Sequence, residues 1–253
     1  MTTAIETQRQ FWNEWNTTHR EQPHSISYRS RRQAEVLLRW LHSLERRDLE
    51  ILEVGCASGW FAEQLADYGT VTATDLADEL IARAQKRAPH IRFIAGDFAQ
   101  LDFRSASFDV VVHLEVLSHV ANQPAFMAKI AGLLKPGGHM MMATQNAFTL
   151  SRLSEVLPPK PGQLRRWVTI GELKRLALPH FEIRELRSII VDGDRGILRW
   201  VNAPKVNRLA SLVLGSQARY DTLKERLGWG HTLMLHAQRF IAMWVLSFHW
   251  LRW

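Results

Sequence analysis

The spacing of apolar positions changes several times along the chain, and each change marks an element. The first thirty residues are polar with scattered aromatics (Phe11, Trp12, Trp15, Tyr28) and read as a helix or an ordered arm. Residues 31–45, RRQAEVLLRWLHSLE, place apolar side chains at helical spacing. Short apolar runs and amphipathic segments then alternate. LEILEVG (49–55), TVTATD (70–75), IRFIAGD (91–97), SFDVVVHLEV (107–116) and HMMMATQN (139–146) read as strands. WFAEQLADYG (60–69), ADELIARAQKRAP (77–89) and QPAFMAKIAGLLKPGG (123–138) read as helices, each ended by glycine or proline. This alternation implies right-handed crossovers and a parallel sheet covered on both faces.

After Asn146 the rhythm slackens. Residues 150–166 contain the loop LPPKPGQ, and TIGELKRLAL (169–178) reads as a short helix capped by Thr169 with Glu172 three residues on. FEIRELRSIIV (181–191) and GHTLMLHAQR (230–239) are the last two predicted strands. Between them, 192–229 is an insertion of helical pattern, and 240–253 is an apolar tail too short to span a bilayer.

The 253 residues are 46% hydrophobic and suffice for one domain with a sizeable core. Cys56 is the only cysteine, which excludes an intrachain disulfide and a thiolate-rich zinc site. The N-terminal MTTAIETQRQFW lacks the basic-then-apolar order of a secretory signal, so a cytoplasmic location is expected. The formal charge of +7 is uneven, being −2 over residues 1–149 and +9 over 150–253. A basic C-terminal part suits an acidic ligand, an anionic membrane surface or nucleic acid, or is a solvated face. Five of the ten tryptophans (Trp200, Trp229, Trp244, Trp250, Trp253) fall in the last 54 residues. They favour an aromatic or lipid-like partner, or belong to the core.

Candidate chemistry concentrates in ILEVGCASGWFAEQLADYGTVTATD. A buried strand enters a glycine turn that opens a helix. Gly55 and Gly59 allow close approach of a ligand to the backbone, and Ala57 keeps the turn small. Asp75 ends the next strand, where an acid can hydrogen-bond ribose hydroxyls. The spacing G-C-A-S-G is not the dinucleotide fingerprint, and Glu53 at the strand end would repel a pyrophosphate. It suits instead a cationic, amino-acid-bearing ligand.

On these residues the chain resembles the class I S-adenosylmethionine-dependent methyltransferases over roughly 30–240. ILEVGCASG is similar to their E/D-x-G-x-G-x-G loop, with Ala57 in place of the middle glycine. ATDLADELIARAQ, IRFIAGDF, FDVVVHLEVLSHV, LLKPGGHMMMATQN and RRWVTIGELKRLALPHFEI resemble the segments that follow, in order. The resemblance implies a Rossmann-like α/β fold. Its sheet has seven mostly parallel strands with helices on both faces, an antiparallel last strand and a helical insertion before it. It also implies the cofactor S-adenosyl-L-methionine, with S-adenosyl-L-homocysteine as product. Its expected contacts are Glu53, Gly55, Cys56, Ala57, Gly59, Asp75 (ribose), Leu76, Asp97 (adenine amino group), Phe98 and Leu114. Arg32 is a candidate clamp for its carboxylate.

LEVLSHV and the Trp-rich arm are most similar to the ubiquinone-biosynthesis O-methyltransferases, whose M-E-x-L-E-H-V segment is associated with a divalent metal. Glu115 and His119 match, but Ser118 replaces the second glutamate, so no metal is assigned. His119 is the candidate general base and Glu115 a holder of substrate or cofactor. His19 and His24 are arm residues that could close over substrate. The expected organisation is an arm or lid (1–30), a cofactor-binding core (31–191 and 230–239), an insertion forming a substrate lid or dimer contact (192–229), and the tail (240–253). The expected reaction is in-line methyl transfer to a small-molecule hydroxyl, with peripheral membrane contact through the tail and a homodimer as further expectations. Two rival readings stand. A nucleic-acid methyltransferase is disfavoured by the lack of an N/D-P-P-Y/F motif and of a catalytic cysteine. A non-catalytic partner-binding subunit is disfavoured by the intact loop and both acids.

Overall fold

The computed structural model describes residues 4–20 and 26–241, without the side chains of 16–20. His24, the His19 side chain and residues 242–253 of the tail lie outside that description.

Strands buried on both faces carry apolar residues throughout rather than in alternation. β1 (Leu49–Val54), β2 (Gly69–Asp75) and β4 (Phe108–Leu114) are of this kind. With β3 (Arg92–Ala95), β5 (Leu134–Gln145), β6 (Phe181–Val191) and β7 (Gly230–Arg239) they form one seven-stranded sheet in the order β3-β2-β1-β4-β5-β7-β6. β1 through β5 pair in parallel, and β7 runs antiparallel between β5 and β6. The expected architecture is therefore present. The chain leaves β1 to one side for β2 and β3 and returns on the other as β4. The crevice that this reversal opens, at the carboxyl ends of β1 and β4, is where open α/β sheets bind ligands.

Two apolar layers hold the sheet. On one face α2 (Tyr28–His42), α3 (Trp60–Leu65) and α4 (Asp78–Arg87) pack Leu37, Leu41, Phe61, Leu65 and Ile81 against Leu49, Ile51 and Val112. On the other, α5 (Gln123–Leu133) and α7 (Ile170–Ala177) pack Met127, Ile130 and Leu173 against Leu52, Val111 and Leu235. The capping box expected at α7 is formed: Thr169 Oγ1 accepts from the Glu172 amide at 3.3 Å, and Glu172 Oε2 accepts from the Thr169 amide at 2.7 Å. Such a cap contributes about 1 kcal/mol.

One element differs from the pattern-based reading. The turn LKPGG belongs to the start of β5 rather than to the end of α5. There Phe108 pairs with Leu134 and Val110 with His139, so β5 loops out between them, and Gly138 leaves only 2.9 Å for a Cβ beside the Lys135 carbonyl. Of the two forms expected for the N-terminal segment, helix or ordered arm, the described residues take the helix, α1 (Ala4–Arg20), which reaches the carboxyl edge of the sheet. Its Gln8 side chain donates to the His119 carbonyl at 2.9 Å, and Asn13 donates to Asp78 at 2.9 Å. α1 thus bridges the segment after β4 to the helix after β2.

A four-residue helix, α6 (Ala147–Leu150), follows β5. The insertion folds as α8 (Gly196–Val201), α9 (Pro204–Leu214) and α10 (Gln217–Arg226). α10 docks on β6 through Ser188, whose hydroxyl donates to the Glu225 carbonyl at 2.6 Å. Trp200, Leu209, Leu212 and Val213 are exposed on the outer side of the insertion. Among the described residues no helix is long and apolar enough to cross a membrane.

Candidate active site

The loop after β1 turns because three of its residues take left-handed backbone conformations: Gly55 (φ 76°), Ala57 (φ 48°) and Gly59 (φ 76°). Ala57 carries a Cβ there, at a cost of roughly 1–2 kcal/mol. Two anchors offset that cost. The Ala57 amide donates to Asp75 Oδ2 at 2.7 Å, and the Gly55 and Cys56 amides donate to the Thr74 carbonyl at 2.7 and 3.0 Å. Asp75 Oδ1 takes the Ala77 amide at 2.8 Å. Through these two bonds Asp75 holds the loop against β2. Leu76, next to it, is half-buried.

Gly55 also has a packing role. A Cβ on it would lie 2.3 Å from Val116 Cγ2, because the segment after β4 crosses directly over the loop. Cys56 is buried, and burial beside Glu53 and Asp75 pushes its thiol pKa up, so only its backbone faces the turn's chemistry.

Glu53 is 2% exposed, and its Oε2 has no hydrogen bond. Burial, and secondarily the Asp75 charge, push its pKa up to about 8, while the Ala62 amide opposes the shift. The carboxyl is therefore neutral at pH 7. An unsatisfied buried carboxyl beside Asp75 fits a ligand that brings positive charge. S-adenosylhomocysteine carries an ammonium group. Its binding at pH 7.5 should release part of a proton, seen as a buffer-dependent calorimetric enthalpy, and Glu53→Gln should remove that dependence. Equal buffer dependence in both proteins would place the ligand's charge elsewhere.

Asp97 follows β3, where Oδ1 accepts the Ala99 amide at 2.9 Å and its second oxygen makes no hydrogen bond among the described residues. Phe98 is buried, edge-on to Phe126 at 5.4 Å with the Lys129 ammonium 5.0 Å from its ring centre. It braces the loop beneath Asp97. Leu114, at the end of β4, is half-buried against the α2 side of the sheet.

Glu115, the residue after β4, sits at φ 61°, a conformation that costs a non-glycine residue energy and that recurs at functional sites. Its Oε1 accepts from Gln33 of α2 and lies 3.5 Å from Thr232 Oγ1 of β7, while Gln33 also donates to Thr232 at 3.2 Å. Sequence reasoning missed Gln33 and Thr232, since neither carries a local motif.

His119 closes the short turn after Glu115. Its Nδ1–H donates to the Leu164 carbonyl at 2.7 Å, and its ring meets Trp12 of α1 edge-on at 4.7 Å. A carbonyl only accepts, so this bond fixes the tautomer and leaves Nε2 as the acceptor. Burial, with Arg165 nearby, pulls its pKa below the usual histidine range, opposed by the Leu164 bond. Ser118, at the position of the resembled family's second glutamate, is fully buried with an unpaired hydroxyl. Among the described residues no group of three or more His, Cys, Asp or Glu is arranged to hold a metal ion.

Arg32 stands apart from the glycine loop. It pairs with Glu35 at 2.8 Å and lines a cavity of about 480 Å³ between α2, the end of β6 and the insertion. None of the loop residues lines that cavity, and neither Trp200 nor Trp229 does.

A family model described as a methyltransferase domain matches residues 52–142, from β1 through β5. A probable S-adenosylmethionine-dependent methyltransferase of Mycolicibacterium smegmatis is 33% identical over 126 residues, covering 49% of this chain and 48% of that protein. The chain thus spans about half the length of that relative. The ubiquinone biosynthesis O-methyltransferase of Xanthomonas campestris is 29% identical over 193 residues, covering 64% of this chain and 75% of its own. The N-methyltransferase NodS of Bradyrhizobium japonicum, solved with S-adenosyl-L-homocysteine, shares the fold at TM-score 0.64 and 18% identity, over 92% of this chain and 98% of that one. With the glycine loop, Asp75 and the sheet order already in place, these matches give residues 52–142 a methyltransferase domain and the whole chain a fold shared with S-adenosylmethionine-dependent methyltransferases.

Proposed function

We propose that the chain methylates a hydroxyl group of a small-molecule acceptor, with His119 as the general base. The observation that carries this reading is the state of the imidazole. It is neutral by burial, held by Nδ1 and left with Nε2 as a proton acceptor. A hydroxyl nucleophile must lose its proton as the new bond forms, and a positioned base contributes about 10²–10⁴-fold to such a step. The cofactor supplies an activated methyl group on a sulfonium. The chain's own work is to orient and to keep water out. Glu53, Gly55, Ala57, Gly59, Asp75 and Asp97 form the cofactor side, and Glu115, steadied by Gln33, stands where the acceptor side begins. α1 covers the crevice between them. Orientation of this kind can supply roughly 7–11 kcal/mol in favourable cases.

The ubiquinone-type relative supports oxygen as the methylated atom, and the NodS neighbour makes nitrogen the alternative. Incubation with methyl-labelled cofactor and a library of hydroxyl and amine acceptors separates them by where the label lands. His119→Gln is expected to lower kcat by about 10²–10³ with S-adenosylhomocysteine affinity unchanged. In the wild type, the acid limb of kcat should lie at lower pH than an ordinary histidine would give, because burial lowers the His119 pKa. Label on nitrogen alone, or an unaffected kcat in the variant, overturns the assignment.

A further inference from the structure

The cavity between the insertion and the sheet is lined by no residue of the glycine loop, yet it opens on the same carboxyl edge. It lies beyond the end of β6, three strands from β4, and α2 links it to the site: Arg32 lines the cavity while its neighbour Gln33 holds Glu115. Its volume of about 480 Å³ falls within the range of small-molecule sites.

The wall is mostly polar, with Ile190 and Val191 of β6 as its apolar part. Asn202, Asn207, Gln217, Asp192, Asp221, Lys224 and Arg32 line it, with Tyr28 at the rim. These side chains are fixed before any ligand arrives. Lys224 is 2% exposed and is the hub, with its ammonium 2.8 Å from Asp221, 3.2 Å from Asn207 Oδ1 and 3.4 Å from Asn202 Oδ1. Gln217 donates to Asp221 at 2.9 Å, and Asn202 donates to the Gly193 carbonyl at 2.9 Å. On the opposite wall the backbone is strained: Ile190 sits at φ 64°, a rare conformation for a β-branched residue, with its amide held by Glu225 Oε1 at 3.1 Å.

Most of the charges are paired, and the Asp192 carboxylate makes no ion pair among the described residues. Lys224 pairs with Asp221, Arg187 with Glu225 at 3.2 Å and Arg32 with Glu35. What remains on offer is the second lone pairs of amide and carboxylate oxygens, the spare N–H groups of Arg32, and one aromatic face. Tyr28 is 74% exposed at the rim and supplies a flat apolar surface. A wall rich in acceptors, with a few donors and an aromatic edge, matches a molecule that presents many hydroxyls and a few C–H faces. It desolvates poorly against a phenol or an alkyl chain, whose apolar surface would leave these polar groups unpaired.

We propose that this cavity is a second ligand site, beside the methyl-transfer site, and that it takes a hydroxyl-rich molecule of the sugar class. The proposal is independent of the methyltransferase reading above, because none of the residues assigned to methyl transfer lines the cavity.

The test uses the full chain saturated with S-adenosylhomocysteine. Saturation-transfer NMR is run against a panel of methyl glycosides (hexoses, deoxyhexoses, N-acetylhexosamines) at millimolar concentration, with catechol, 4-hydroxybenzoate and dodecanol as apolar comparators. At least one glycoside should bind, and Tyr28→Ala and Asp192→Ala should each weaken it at least tenfold. Neither substitution should change S-adenosylhomocysteine affinity, which calorimetry reads separately and which also shows that the variants are folded. The proposal is overturned if no glycoside binds, if binding survives both substitutions, or if only the comparators bind. Failure to bind S-adenosylhomocysteine would instead sink the methyltransferase reading, and the glycoside spectra would still report on the cavity.

Discussion

Asp75→Ala is expected to lower S-adenosylhomocysteine affinity by at least about 100-fold. The side chain does two jobs at once. It accepts the Ala57 and Ala77 amides, which holds the glycine loop against β2, and in the proposed cofactor site it also accepts from the ribose. Hydrogen bonds to a charged group are worth about 1.5–3 kcal/mol each. Loss of two corresponds to a factor of 10² or more in affinity. Asp75→Asn separates the jobs, since its carbonyl oxygen can still take one loop amide while the charge is gone. Calorimetric affinities should therefore rank wild type, then Asn, then Ala. An Ala variant that binds like wild type would mean that the cofactor is not held at this strand end.

The second large effect concerns acid stability. His113 is fully buried in β4, against Phe126 with ring centres 5.2 Å apart, and neither ring nitrogen has a partner. Burial alone drives its pKa down to about 3. The unfolded chain binds a proton near the ordinary histidine value of about 6.5. The folded-state value lies below the unfolded one, so stability is complete above pH 6.5 and is lost as pH falls toward 3. At pH 4.5 the loss from this residue is about 2–3 kcal/mol. His231 and His236, each pulled down to about 4 chiefly by burial, add losses of the same sign. His113→Leu removes two unpaired polar atoms and should add roughly 1–3 kcal/mol at pH 7. Urea titrations should show the gain growing by a further 2–3 kcal/mol at pH 4.5. A gain independent of pH would show that His113 is not the acid-sensitive group.

The fold was legible because most of its elements declare themselves locally. β1, β2 and β4 are short apolar runs bounded by glycine or charge, and α4 and α7 begin and end at residues that cap or stop helices. The start of β5 was not legible. Pro136, Gly137 and Gly138 read locally as a helix stop, and only pairing with β4 draws them into a strand. The cofactor side of the site was legible for the same reason as the fold, since loop, strand end and Asp75 lie within 25 residues. The acceptor side was not. His119 owes its tautomer to Leu164, 45 residues on, and Glu115 is held by Gln33 and Thr232 from two other elements. No periodicity encodes such meetings. The cavity's lining likewise comes from α2, the end of β6 and the insertion, and its polar residues read in sequence as surface helix.

The position of β7 has a consequence for how the molecule is made. Synthesis delivers β5 and β6 early, but they do not touch as neighbours, because the strand that belongs between them is the last to emerge. Until Gly230–Arg239 leaves the ribosome, β5 presents a bare edge of apolar residues, Met140 to Ala143, which is the kind of template that recruits other chains. β6 meanwhile has no sheet to join. The same strand brings Thr232 to Gln33 and Glu115. Closing the sheet and completing the acceptor side of the site are thus one event, and a chain stopped short of Gly230 would carry the cofactor loop without the groups that steady Glu115.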